Sequence, residues 1–183
     1  ACYREIDDTA RLQSLYSSIY ARTGSEEDMT RLLSFLVENS RIHAAEELLH
    51  ELIEQAENPW YYRELLLGMY AERSATQEIH ATLETYASLP DSTPDIREDV
   101  AWLAYAYDPT SNCLLYLRRA VKEKPEDKEL GIAYAAACLQ YGRQKDAITR
   151  LASLISTGEE NAELCHLLAQ GYAQDEEWNE AEY

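Results

Sequence analysis

The sequence predicts an all-α chain built from tandem pairs of antiparallel helices. Three observations carry that expectation. Apolar residues recur at a fixed interval of 34 across the chain. Within each interval they follow the three- and four-residue spacing of an amphipathic helix. Every one of the 5 prolines falls between those stripes, where a missing N–H and a fixed φ do no harm.

The interval is read from columns. Ala45, Ile79, Cys113, Ala147 and Ala181 stand 34 apart. Four residues on from the first four lie Leu49, Leu83, Leu117 and Leu151, and seven on lie Leu52, Tyr86, Ala120 and Leu154. An upstream set runs Leu33, Leu67, Ala101, Ala135 and Ala169, flanked by Leu32, Leu66, Val100, Tyr134 and Leu168 and by Leu36, Tyr70, Ala104, Cys138 and Tyr172. Each unit thus holds two apolar stripes. The breaks between them carry turn chemistry: Glu38-Asn39-Ser40, Asp108-Pro109-Thr110-Ser111 and Tyr141-Gly142-Arg143. Joints between units contain Asn58-Pro59, Pro90-Asp91-Ser92-Thr93-Pro94, Lys124-Pro125-Glu126-Asp127 and Thr157-Gly158.

The repeat resembles the tetratricopeptide (TPR) family. Ala45, Ala147 and Ala181 match the small residue that opens the family's second helix, with Cys113 a small substitute and Ile79 a departure. Pro125 matches the late proline, and Leu67-Gly68 approximates the Leu-Gly pair one residue late. The most similar stretch is Leu168-Ala169-Gln170-Gly171-Tyr172 with Trp178-Asn179-Glu180-Ala181. The resemblance implies a right-handed superhelical solenoid over residues 26–183. Its units are 26–59, 60–93, 94–127, 128–161 and a truncated 162–183. Residues 1–25 read as the second helix of a preceding unit plus a joint, through the stripe Leu12, Leu15, Tyr16 and Ile19. Both ends look like interior repeats, so an excerpt of a longer array is expected, and uncapped ends leave self-association open.

Composition narrows the function classes. A formal charge of −18 repels phosphate backbones and anionic lipid headgroups, so neither nucleic-acid binding nor membrane insertion is expected. The best apolar run, Leu65 to Ala71, is far short of the roughly 20 residues a membrane helix needs. Cys2, Cys113, Cys138 and Cys165 form no CxxC pair. The last three occupy small or buried columns and read as reduced core thiols, which favours a cytoplasmic setting. His43, Glu47 and His50 share one helix face but lack an HExxH pattern and a fourth ligand, so no metal and no cofactor are expected. His80 and His166 stand alone. No glycine-rich phosphate loop or GxSxG elbow is present, and catalysis is not expected.

In the resembled family the first helix of each unit lines a concave groove. Carried onto this register, the inner positions include Tyr61 and Glu64, then Asp95, Glu98, Asp99, Trp102 and Tyr105, then Glu129. An acidic groove with aromatics at its middle suits a basic or amphipathic protein segment: aromatics supply contact area, and carboxylates supply register and on-rate. The alternative for Trp102 and Tyr105 is packing against the next unit. The family's clamp for C-terminal carboxylates is not expected, since Thr30, Ser34, Glu64, Asp95, Glu98 and Asp99 stand at its positions and Arg31 is the one matching cation. The expected function is therefore a protein–protein interaction scaffold or adaptor segment. Its rivals are a structural spacer or self-associating array with an empty groove, an assembly or secretion chaperone, and a regulatory segment of a larger enzyme. If the array continues beyond residue 183, adding one more repeat of the same pattern should raise the melting temperature. No gain, with amides 172–183 already exchanging slowly, would show that the last helices are complete as they stand.

Overall fold

The computed structural model describes the backbone of residues 2–89, 93–156 and 162–175, and the side chains within those ranges from Thr9 onward. Pro90-Asp91-Ser92, Thr157-Gly158, Trp178 and Ala181 lie outside the described residues. Every described element is an α-helix: α1 (Cys2–Thr23), α2 (Glu26–Glu38), α3 (Ile42–Gln55), α4 (Trp60–Glu72), α5 (Thr76–Ala87), α6 (Pro94–Tyr107), α7 (Cys113–Glu123), α8 (Lys128–Gln140), α9 (Gln144–Ser156) and α10 (Ala162–Gln174). The starts of α2, α4, α6, α8 and α10 fall at 26, 60, 94, 128 and 162, a step of 34 each time. The chain divides into two compact units, residues 1–66 and 67–183.

In the first unit α2 packs on α1 and on α3. Tyr16 of α1 meets Phe35 of α2 at a centroid distance of 5.1 Å. The stripe expected on α1 is buried only in part: Tyr16 and Ile19 are half-buried, while Leu12 and Leu15 are exposed. In the second unit each of α5 to α9 packs on its successor, and α10 also reaches α8, two helices back. That contact is what stacked hairpins produce, because the first helix of one pair lies against the first helix of the next.

The columns account for the core. Ala45, Ile79, Cys113 and Ala147 are at most 1% exposed, and the leucines four residues beyond each are at most 2%. Burying one such leucine stabilises by about 1.5–3 kcal/mol, so each hairpin depends on its neighbours far more than on helix propensity. Burial pushes the Cys138 thiol up to about 11 and raises that of Cys113, so both stay protonated at neutral pH and act as compact hydrophobes. Cys165 departs from expectation and is exposed. Leu164 is buried, and the next residue of a helix points about 100° away from that contact.

Helix entries repeat as well. Ser25, Thr93 and Asp127, one residue before α2, α6 and α8, accept a hydrogen bond from the backbone N–H three residues on, at 3.2, 3.3 and 2.9 Å. The joint before α8 is fastened further by Arg150 of α9, which donates to the carbonyls of Pro125 and Asp127. Gly131 makes room for it: a Cβ there would lie 2.5 Å from the guanidinium.

The turns inside the pairs close by one device in three cases out of four. Ser40, Ser74 and Gly142 take left-handed φ values of 57°, 54° and 72°. The next N–H then reaches back five residues, Arg41 to Leu36, Ala75 to Tyr70 and Arg143 to Cys138, as in a Schellman closure. The fourth turn places Asp108 at the equivalent position, with φ −87° and an extended backbone. Its carboxylate Oδ1 instead accepts from Thr110 N at 2.9 Å and Thr110 Oγ1 at 2.8 Å, and α7 starts at 113 rather than the 110 that the register projects.

A left-handed serine costs roughly 1–2 kcal/mol, and the extra freedom of an unfolded glycine returns about half of it. Ser74→Gly should therefore stabilise by about 0.5–1 kcal/mol, and Gly142→Ala, with no atom within 4 Å of the new Cβ, should destabilise by about 1 kcal/mol. Urea unfolding measures both. A destabilised Ser74→Gly or an unaffected Gly142→Ala would contradict this account of the turns.

Candidate functional site

The candidate surface lies on α6 in the 67–183 unit. Thr93 caps this helix and Pro94 occupies its first turn, so the chain enters with its direction set. Acidic side chains near that end also suit the positive pole of the helix dipole. Val100, Ala101, Leu103 and Ala104 are buried and fix the inward face. Asp95, Glu98, Asp99 and Trp102 follow at i, i+3, i+4 and i+7 and so share another face. On it Asp95, Asp99 and Tyr105 are exposed, whereas Glu98 and Trp102 are half-buried.

Glu98 organises this face. Its Oε1 accepts from the Trp102 indole Nε1 at 3.4 Å, and its Oε2 accepts from Lys124 Nζ. Trp102 in turn meets Tyr105 edge-on, with centroids 6.2 Å apart. The indole is thus neither a core residue nor a free anchor. It is held by its polar edge with part of its ring uncovered.

Lys124 was not foreseen at this place. It follows α7 in the joint, and its ammonium bridges Glu98 and Asp95, the latter at 2.5 Å. Those hydrogen bonds, the one to Asp95 foremost, raise its pKa above the ordinary lysine value. A raised folded-state pKa makes the bridge fully present at neutral pH, and it is lost only as the solution becomes strongly alkaline. A second pair, Arg97 Nε to Glu123 Oε2 at 2.6 Å, ties α6 to α7 beside it. The acidic face therefore already carries a cation of the chain's own.

The remaining residues of the set are dispersed. Glu129 stands exposed in the first turn of α8. Tyr61 and Glu64 are exposed on α4 within the 1–66 unit, where the Tyr61 ring lies 5.4 Å from that of Tyr62. In the same unit Arg63, an unforeseen buried cation, lies 4.4 Å from the Trp60 ring centroid.

The histidines are resolved individually. His43 is exposed and pairs with Glu46 and Glu47 at 3.7 and 3.4 Å, and His50 is exposed. His80, which the sequence left alone, has a partner: its Nε2 lies 3.1 Å from Asp108 Oδ1 and 3.2 Å from Thr110 Oγ1. An ionised carboxylate only accepts, so Nε2 carries the proton toward Asp108. Among the described residues no group of three or more His, Cys, Asp or Glu is placed to hold a metal ion. No described helix is long and apolar enough to cross a membrane.

No family model and no curated protein sequence matches the chain. Its structure is similar to that of a tetratricopeptide repeat protein from Parabacteroides merdae ATCC 43184, with a TM-score of 0.57 and 18% identity, over 85% of this chain and 62% of that one. At that identity the likeness speaks for the fold alone, and the chain spans less than two thirds of that protein. Ten described helices, no described strand and this likeness together give the chain a tetratricopeptide-like all-α helical repeat fold.

Proposed function

We propose that the chain is a protein–protein interaction scaffold segment whose α6 face receives a basic or amphipathic segment of another protein. The observation that carries this reading is Lys124 itself. An ammonium already sits between Asp95 and Glu98, beside a half-buried indole and an exposed tyrosine. The chain thereby displays, on its own residue, the kind of contact a partner lysine or arginine would make. A partner cation would share or replace Lys124, lay its alkyl stem along Trp102 and meet the Tyr105 ring. Tyr61, Glu64 and Glu129 belong to the same reading as inner positions of their own repeats, and the tests below concern α6 alone. Attraction between exposed charges is screened by salt, so binding here weakens with ionic strength, which capture of an apolar helix would not.

Direct comparison of variants tests the reading with a basic peptide array as probe. Asp95→Lys with Glu98→Lys should slow association by about tenfold at low salt and leave the fold intact. Lys124→Gln should move affinity the other way, tightening a basic peptide by about two- to fivefold, because the internal competitor is gone. Trp102→Ala should weaken capture while costing about 1–3 kcal/mol of stability, below the roughly 3–5 kcal/mol of a core indole. Unchanged capture by the charge-reversed protein, together with looser binding by Lys124→Gln, would remove the function from this face.

A further inference from the structure

We propose that the cavity between the start of α7 and the α8–α9 turn binds an acidic peptide segment of another protein, with its carboxylates on Arg118 and Arg143 and an apolar side chain on Leu115. The cavity has a volume of about 500 Å³, within the range of ligand pockets, and lies wholly in the 67–183 unit. It stands where the repeat register would have put a turn of helix. Thr110, Ser111 and Asn112 line it as turn residues, because α7 starts only at 113. The site is separate from the α6 face and opposite to it in sign.

The sign comes from the lining. Arg118, Arg143 and His80 contribute to it, and no carboxylate does among the described residues. In a chain of 34 acidic and 16 basic residues the reverse would be the ordinary outcome. The carboxylates bonded to the lining are engaged already. Asp108 is closed off behind His80 and Thr110, which its Oδ1 binds, and Asp146 accepts from Arg143 Nε at 3.1 Å. That bond uses one of the five donors of a guanidinium and leaves the others. Arg118 is exposed and forms no hydrogen bond or ion pair among the described residues. Tyr134 and Tyr141 add no negative charge, since burial foremost holds the pKa of each above the ordinary phenol value. The first amides of α7 are spent as well: the N–H groups of Cys113, Leu114 and Leu115 donate to the carbonyls of Thr110, Ser111 and Asn112. The guanidinium groups, not the helix end, are what an anion would meet.

Beyond the cavity the surface of α7 continues the pattern. Leu115 is 65% exposed, the most of the large apolar side chains described. Arg118, Arg119 and Lys122 follow it at i+3, i+4 and i+7, so they share its helix face, and all three are exposed. These features choose among anions. A long polyanion would meet the charge of −18 as repulsion, and a free phosphate would make no use of Leu115. A short segment with a few carboxylates beside apolar residues uses both: guanidinium forks hold the carboxylates, while Leu115 and the arginine stems cover the apolar neighbour.

The probe is an acetylated, amidated hexapeptide of four glutamates around two central leucines, added to the whole chain and followed by ¹H–¹⁵N chemical shifts. Binding should saturate, with the largest changes at residues 110–118, Tyr134 and residues 141–143. The same peptide with glutamine in place of glutamate should bind at least about tenfold more weakly. Arg118→Gln should cost about tenfold, Arg118→Lys should restore only part of it, and Leu115→Ser should cost severalfold, with the melting temperature unmoved at these exposed positions. Asp95→Lys with Glu98→Lys should not weaken the acidic peptide, and Arg118→Gln should not weaken a basic one, so the α6 reading and this site fail separately. Equal binding of the glutamine peptide would overturn the proposal. Displacement by inorganic phosphate with Leu115→Ser silent would also overturn it, by showing a site for free oxyanions. A dimer of the unliganded chain that Arg118→Gln dissolves in sedimentation would do the same, because the cavity would then hold a second copy.

Discussion

The packing of this chain depends on what is enclosed at four positions near the start of the second helix of each pair, Ala45, Ile79, Cys113 and Ala147. All four are buried to within 1%. A helix pair of this length cannot bury its apolar stripes on itself, so each stripe must find the next pair. Small or compact residues at the opening of the second helix let the backbones draw near enough for the leucines four residues further on to be enclosed. Ile79 shows that the position tolerates a larger residue, and Leu83 beyond it is still fully buried. The constraint is thus on the fit of the whole layer rather than on one side chain.

With the pairs so fixed, the features with chemistry are found in the turns and on the outer faces. Three turns close through a left-handed residue. The turn at Asp108 closes through a side chain, which delays α7 by three residues and takes a carboxylate out of solvent. On α6 the inward face is committed to Val100, Ala101 and Ala104, so the opposite face can collect Asp95, Glu98 and Trp102 at little cost to packing. The same separation explains why a charge reversal on α6 can be expected to leave the fold alone.

What the sequence disclosed follows the range of the interactions involved. The helix starts at steps of 34, the buried columns and the shared face of Asp95, Glu98 and Trp102 rest on spacings within one helix or one repeat, which periodicity exposes. Lys124 escaped because it reaches across 26 and 29 residues from a joint, where no pattern announces a partner. His80 escaped for a like reason: its contacts lie 28 and 30 residues on, in the one turn that breaks the register. Asp108 read only as turn chemistry, since a sequence does not tell which oxygen of a carboxylate will be satisfied. Cys165 was misplaced because its column is not uniform: the equivalent Met29, Arg63 and Gly131 are buried, but Arg97 is half-exposed and paired outward.

The charge balance bears on what the proposed α6 surface could select. In a chain of −18, a basic partner would be expected to meet bare carboxylates, yet Lys124 and Arg97 are already engaged across α6 and α7. Binding on α6, as proposed, would therefore be an exchange of one cation for another, in which the partner gains only the difference between its own contacts and those of Lys124. Such a surface discriminates by geometry, by what lies along Trp102 and Tyr105, more than by net charge. On the proposed reading, the acidic exterior would raise the local concentration of basic segments, and the α6 face would select among them by how they lie along Trp102 and Tyr105.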